Sequence, residues 1–255
     1  MQEYPSSKTL GVTGIPEIGT GDNLGELIAD AARAQRTPVE DGDILVVTQK
    51  IVSKAEGRVV SLEGIEPSEF ARSFAEGAER DPRLIELVLR ESAAIVRMDP
   101  VRGILITETR HGFVCANAGI DQSNVPGEGL ACLLPLDPDA SARRIRAEVQ
   151  DRSGVAPPVI ISDTFGRAWR EGHVNFAIGV AGMDPMTDYR GTLDANDRVL
   201  HVTTIAVADE LAAAAELVTA KAIEVPVAII RGFAYDAAEG AASQLIRDRA
   251  TDMFR

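Results

Sequence analysis

Residues 159–173 read VIISDTFGRAWREGH. Four aliphatic or small residues of buried-strand type come first, then an acid and a hydroxyl, then a glycine turn loaded with charge. The pattern puts polar chemistry where an apolar strand is expected to stop. Asp163 and Thr164 offer a carboxylate and a hydroxyl oxygen on adjacent residues, a pairing that suits Mg²⁺ or Mn²⁺. Arg167 and Arg170 bring two cations within reach of any anion such a metal would hold, as ligands of a transferred phosphate or a substrate carboxylate. A plainer reading fits the same residues, with Asp163 capping the next element and the arginines on a solvated face. The rest of the chain has to decide between them.

Upstream of this stretch, residues 139–153 carry a basic-faced helix ending near Gly154, so the local order is strand, helix, strand. A second apolar strand, Ile44-Leu45-Val46-Val47, follows the tight turn Asp41-Gly42-Asp43 and runs into TQKIVSKAEG at 48–57. On a helix, Lys50 and Lys54 share one face, where they repel each other unless an anion lies between them or both are solvated. Earlier still, residues 9–14 form a short β run that ends in GIPEI at 14–18. After it, Gly19, Gly21 and Asp22 open a helix with Leu24, Leu27, Ile28 and Ala31 at helical spacing. The string GTGDNLG at 19–25 misses G-x-G-x-x-G by one residue, and no G-x-x-x-x-G-K-[ST] occurs, which excludes a Walker-type site.

Residues 67–94 read as helical scaffold, with Phe70, Phe74, Leu84, Leu87 and Val88 in the core and Asp81-Pro82 starting a second helix. Residues 94–98, 103–107 and 113–117 are short β-prone runs of an antiparallel meander. It delivers AGIDQSNV at 118–125, whose Asp121, Ser123 and Asn124 are either turn formers or oxygen ligands for a hard cation. Residues 178–183 and 188–191 read as turn-rich connections. The clearest helix is AVADELAAAAELVTAK within 202–223, with Val207, Leu211, Ala215 and Val218 along one side. Residues 226–231, PVAIIR, add a last apolar strand.

A net charge of -13 repels polynucleotides and acidic membranes, so an anionic ligand would need a locally positive site made by metal ions and placed Lys and Arg. No run is apolar and long enough to span a bilayer, and the first residues lack an export signal. Cys115 and Cys132 form no C-x-x-C and read as reduced, buried small residues. A cytoplasmic location is expected.

Taken together, GIPEI at 14–18, VTQKIVSKAEG at 47–57, ITETRHG at 106–112, AGIDQSNV at 118–125, SDTFGRAWREG at 162–172 and VADELAAAAELV at 207–218 resemble the coenzyme F-420-0:L-glutamate ligase family. The resemblance runs in order over nearly the whole chain and corresponds to the free-standing form, without a nitroreductase-like C-terminal domain. It implies an α+β fold with mixed, largely antiparallel sheets and packed helices, as one ligase domain over residues 1–255 or two interlocked lobes, assembled as an intertwined homodimer. The implied activity is GTP-dependent addition of L-glutamate to the lactyl carboxylate of a deazaflavin phosphodiester through an acyl phosphate, with further glutamate added through the γ-carboxylate. Two Mg²⁺ or Mn²⁺ ions are implied, and a K⁺ activator is compatible.

Residue by residue, the resemblance assigns Asp121 and Asp163 to one divalent ion and Thr164 to a second. Gly14, Ile15, Pro16, Glu17, Lys54 and Asn124 fall at GTP contacts, and Thr48 and Gln49 beside them. The stretch Thr219-Ala220-Lys221 falls near a nucleotide or metal position where archaeal relatives are expected to have an acid; Lys221 cannot ligate a cation, so water or another carboxylate such as Glu210 would serve the second metal. His111 and His173 are expected to be structural. A metal-dependent phosphoester hydrolase and a non-catalytic nucleotide-binding module would use many of the same residues.

Overall fold

The computed structural model describes residues 4–123, 127–220 and 223–254. In chain order its strands and helices are β1 (Lys8–Val12), α1 (Leu24–Ala34), β2 (Ile44–Thr48), α2 (Gln49–Ala55), β3 (Val59–Ser61), α3 (Glu69–Ala78), α4 (Pro82–Glu91), β4 (Ser92–Asp99), β5 (Ile104–Thr109) and β6 (Val114–Ala116). There follow β7 (Leu130–Cys132), α5 (Pro138–Ser153), β8 (Val159–Arg167), β9 (Arg170–Ala181), β10 (Thr187–Asp188), β11 (Thr204–Ile205), α6 (Val207–Thr219) and β12 (Val227–Arg231). The fold is α+β, with mostly antiparallel sheets.

The main sheet has the order β1-β12-β2-β8-β9. Only its central pair, β2 with β8, is parallel. Those two strands are apolar on both sides because both faces of the sheet are covered. Leu45, Val47, Val159 and Ile161 face α1 and α5, packing with Ile28, Ile145 and Val149. Ile44, Val46 and Ile160 point the other way, to Val207, Leu211 and Ala215 of α6. A third core joins α3 and α4 to the smaller sheets, around Leu62, Phe74, Ile85, Val88, Leu105 and Leu133.

The helices start and stop where side-chain chemistry dictates. Asn23 caps α1 by accepting from the Glu26 amide at 2.9 Å, Asp81 caps α4 with Pro82 at the first helical position, and Asp137 caps α5. Each satisfies an amide that the first helical turn leaves without a partner. Gly154 ends α5 in the left-handed region, φ 81°, where a residue without Cβ costs least.

Four expectations need correction. The strand that begins at Val159 does not stop at Asp163; it runs to Arg167 and pairs with β9, so Asp163 lies opposite Phe176 in mid-strand rather than at the start of a following element. Residues 178–181, expected as a connection, are the inner half of β9, because Ile178, Val180 and Ala181 are buried against the sheet's helices. The helix expected up to residue 94 ends at Glu91, and Ser92 and Ala93 already belong to β4. Phe70 is 40% exposed and stacks on Phe74, which alone of the two enters the core.

Candidate active site

A cleft of about 680 Å³ opens where β2 ends beside the middle of β8. Ile15, Pro16 and Glu17 from the β1–α1 loop, Thr48, Gln49, Lys50 and Lys54 from the start and face of α2, and Asp121 line it. Ser162, Asp163 and Thr164 of β8, with Asn175 of β9, line it as well. The parallel pairing of Thr48 with Ser162 is what sets the α2 residues beside the β8 residues. The β4–β6 meander brings Asp121: after β6 the chain turns through left-handed Ala118 (φ 53°) and Gly119 (φ 70°), and Asp121 then bridges Cys132 through both backbone hydrogen bonds.

Lys50 and Lys54 do share the cleft side of α2, but no common anion is needed to keep them together. Each has its own carboxylate from another loop. Lys50 Nζ donates to Asp121 Oδ2 at 2.7 Å and to the Ser123 carbonyl at 2.8 Å. Lys54 Nζ reaches Glu17 Oε1 at 2.5 Å. Burial pushes the Asp121 carboxyl up, but the Lys50 ammonium and the hydrogen bonds donated by the Ser123 amide and hydroxyl outweigh it, holding the group below the usual carboxylate range. Asp121 is therefore ionised at neutral pH. Thr164 Oγ1 donates to Asn175 Oδ1 at 2.7 Å across the hairpin.

One polar atom in the cleft wall lacks a partner. The Ser162 hydroxyl, on a residue only 1% exposed, makes no hydrogen bond among the described residues, and an orphan of that kind is costly unless something else in the cleft satisfies it. Gln49, also buried, is positioned by the Ser53 hydroxyl, which donates to its Oε1 at 2.8 Å.

Across residues 13–232 the chain matches the family model described as F420-0:Gamma-glutamyl ligase. The chain belongs to that family. A protein of Methanothermobacter thermautotrophicus named Coenzyme F420:L-glutamate ligase is 49% identical, covering 96% of this chain and 98% of the relative. Its namesake from Methanopyrus kandleri is 45% identical over 97% of this chain and 98% of that protein. The Methanocaldococcus jannaschii protein of the same name is 42% identical over 91% and 90%.

Within the F420-0:gamma-glutamyl ligase fold, the cleft gathers Ile15, Pro16, Glu17, Thr48, Gln49, Lys54, Asp121, Asp163 and Thr164 of the expected residues. Gly14 precedes this lining with φ 77° and is not part of it. Arg167 and Arg170 are not either. Because β8 and β9 continue past the cleft, these arginines sit opposite each other at the hairpin's far end, where Arg167 Nη2 donates to the Glu171 carbonyl. Asn124 and Lys221 lie outside the described residues. Glu210 is exposed in the first turn of α6 and does not line the cleft. Beyond Glu17, Asp121 and Asp163, the carboxylates that do are Glu216 and Glu224, joined there by Thr219.

Sequence reasoning missed Ser162, Asn175, Glu216 and Glu224, and it gave Lys50 no role of its own; Thr219, in the stretch expected near a nucleotide or metal position, does line the cleft. A signal existed for Glu216, which lies three residues before Thr219 near the end of α6 and so on the same face. His111 Nε2 lies 3.0 Å from the Pro135 carbonyl. Among the described residues no three His, Cys, Asp or Glu side chains are gathered into a ready metal cage. The oxygen donors of Asp121, Asp163 and Thr164, with Glu216 and Glu224 across the cleft, are nonetheless of the hard type that divalent Mg²⁺ or Mn²⁺ prefers. No helix among the described residues is long and apolar enough to cross a membrane.

Proposed function

We propose that this ligase joins L-glutamate to the lactyl carboxylate of a deazaflavin phosphodiester, coenzyme F-420-0, at the expense of GTP, and then extends the product by γ-linked glutamate. The observation that carries the reading is the meeting of Asp121 and Asp163 in one cleft with Lys50 and Lys54. These residues come from elements far apart in sequence, and an acidic protein has little other reason to collect cations beside carboxylates in a concave site.

The chemistry requires that arrangement. An acceptor carboxylate oxygen attacks the γ-phosphorus, the bond to the β-phosphate oxygen breaks, and GDP leaves. The glutamate amine then attacks the acyl carbon, inorganic phosphate departs, and the amine loses a proton. Triphosphate and carboxylate are both anionic, so their approach needs positive charge that is fixed in place beforehand. Lys54, 11% exposed at its side chain and held by Glu17, serves the nucleotide, whose phosphates also meet the backbone of the loop carrying Ile15, Pro16 and Glu17. Bound divalent ions, with K⁺ as a monovalent activator, would supply the remaining charge neutralisation, held by Asp121, Asp163 and Thr164, with Glu216 or Glu224 completing the second position. Lys50 holds Asp121 ionised and oriented until a metal competes for it. Glutamate, GTP and the deazaflavin are the partners of a protein we assign to the cytoplasm as a homodimer.

The test is a mass-spectrometric assay with GTP, Mg²⁺ or Mn²⁺, glutamate and the glutamate-free deazaflavin. A product heavier by one glutamyl unit with one GDP per bond is expected. GTP hydrolysis indifferent to glutamate would favour a phosphohydrolase, and binding without turnover a non-catalytic module. Asp163→Asn should lower turnover by about 100-fold or more while the thermal melt is preserved; undiminished turnover in that variant removes Asp163 from the chemistry.

A further inference from the structure

Where β8 and β9 join, far from the cleft, the hairpin presents the chain's single tryptophan. Trp169 is 81% exposed and its backbone is left-handed, φ 60°. A bulky residue in that region is disfavoured where Gly or Asn would fit easily, and such strain is characteristic of sites kept for what the side chain does. One edge of the indole is braced by Phe254, with ring centroids 5.1 Å apart at 54°, and Arg247 lies over the Phe254 ring at 5.5 Å. The brace fixes the ring's orientation and leaves most of its surface open.

The hairpin links this platform to the cleft. Thr164 and Asn175 line the cleft, and the next cross-strand pair toward the tip on the same side is Gly166 with His173. A Cβ at Gly166 would meet nothing closer than the His173 ring at 4.0 Å, so the strand surface there is clear. From Thr164 to Trp169 the hairpin covers roughly 15 Å at the usual rise of an extended chain. Within this acidic protein the stretch carries Arg167, Arg170 and His173 against Glu171 alone. At the cleft end, the orphan Ser162 hydroxyl is an independent sign that a polar ligand completes the wall.

We propose that Trp169 stacks on the planar ring system of the acceptor while the acceptor's carboxylate lies at Asp163 and Thr164, the β8–β9 hairpin setting the distance between them. This rests on the ligase reading above and adds to it the part of the protein that recognises the ring. In that acceptor the phosphodiester stands between ring and carboxylate, so the two need separate sites a hairpin's length apart. Aromatic stacking tolerates ring substituents because it reads a π-face, and the flanking arginines add cation–π attraction and donors for ring carbonyls. Trp169 is thus a binding residue for the acceptor, remote from the reacting atoms.

Steady-state kinetics and direct binding separate the possibilities. Binding of the glutamate-free deazaflavin is followed by its own fluorescence anisotropy, and turnover with GTP, Mg²⁺ and glutamate by product mass. Trp169→Ala should raise the acceptor's Kd and KM by roughly tenfold or more, the loss expected of one stacked ring, with kcat and the KM for GTP unchanged. Trp169→Phe should recover most of the affinity, to within about threefold of wild type. The ring-free phospholactyl fragment should bind wild type and Trp169→Ala alike. If wild type binds and glutamylates the deazaflavin while Trp169→Ala does so with an unchanged Kd and KM, the stacking role is overturned and the ligase reading stands. If the variant only melts earlier, Trp169 is a structural anchor for Phe254. If wild type neither binds nor glutamylates the deazaflavin, the ligase reading fails and takes this inference with it.

Discussion

Lys50 and Asp209 show opposite ways in which a single residue sets the charge of its surroundings. The Lys50 ammonium keeps a half-buried carboxylate, Asp121, ionised beside the cleft. Asp209, in the first turn of α6, has no such cation among the described residues. Its Oδ1 accepts the Ala177 amide at 2.9 Å, but burial is the larger effect and raises its carboxyl above the ordinary 3.8. The folded state therefore binds this proton more tightly than the unfolded chain does. Its contribution to stability is fully present below the unfolded value and is lost as pH rises through the raised folded one. Asp209→Asn keeps an acceptor for Ala177 and removes the charge. Urea unfolding should find the variant more stable than wild type at pH 7, with the difference shrinking as pH is lowered toward 4; a pH-independent difference would show that burial of the charge is not what matters at this position.

At the level of elements, α1 and α5 approach so closely that only a glycine fits between them. A Cβ on Gly25 would stand 2.3 Å from Glu148 Cβ and 2.6 Å from the Val149 backbone nitrogen. The Gly25 amide meanwhile donates to Glu148 Oε2 at 2.9 Å. Gly25→Ala gains helix propensity, about 0.5–1 kcal/mol, yet must push the two helices apart, at a cost of about 1–3 kcal/mol for overpacking. Net destabilisation of about 1–2 kcal/mol is expected from denaturant midpoints, with the cleft chemistry spared; a stabilised variant would mean that α5 yields easily. The same elements show what the sequence could reveal. β2, β12 and the first half of β8 were legible because burial on both faces leaves uninterrupted aliphatic runs. The outer half of β8 was not: DTFGR carries no run of that kind, and its strand character comes from pairing with β9, which a local pattern does not display. Likewise the helical spacing of Lys50 and Lys54 was plain, but their partners Asp121 and Glu17 come from other loops, so the pairing that defines the site is a product of tertiary structure. Glu216 lies in an alanine-rich helix whose periodic pattern marks only its apolar side.

For the whole molecule, the cleft is the place where the separate cores meet. Asp121 arrives on the meander that packs with α3 and α4, through the core containing Ile120, Ala131 and Leu133. Asp163 arrives on the sheet covered by α1 and α5, and Glu216 on the helix of the opposite face. Phe113 of the meander and Phe165 of β8 already touch, ring centroids 6.4 Å apart, and Lys50 holds Asp121 at 2.7 Å. A ligand bridging Asp121 and Asp163 would add a further tie and so stabilise the fold as a unit rather than one core alone. At a hundredfold excess over its Kd, a ligand specific for the folded state contributes about 2.7 kcal/mol, which for a chain of this size is a rise of roughly 5–10 °C in Tm. Magnesium with a non-hydrolysable GTP analogue should produce that rise in wild type and much less in Asp121→Asn or Asp163→Asn. The double variant should lose no more than either single one, because both substitutions sever the same bridge. Hydrogen exchange should slow in β5 and β8 together on ligand addition; protection confined to the β8 side would mean that the nucleotide is held by the main sheet alone, with Asp121 left to a structural ion pair.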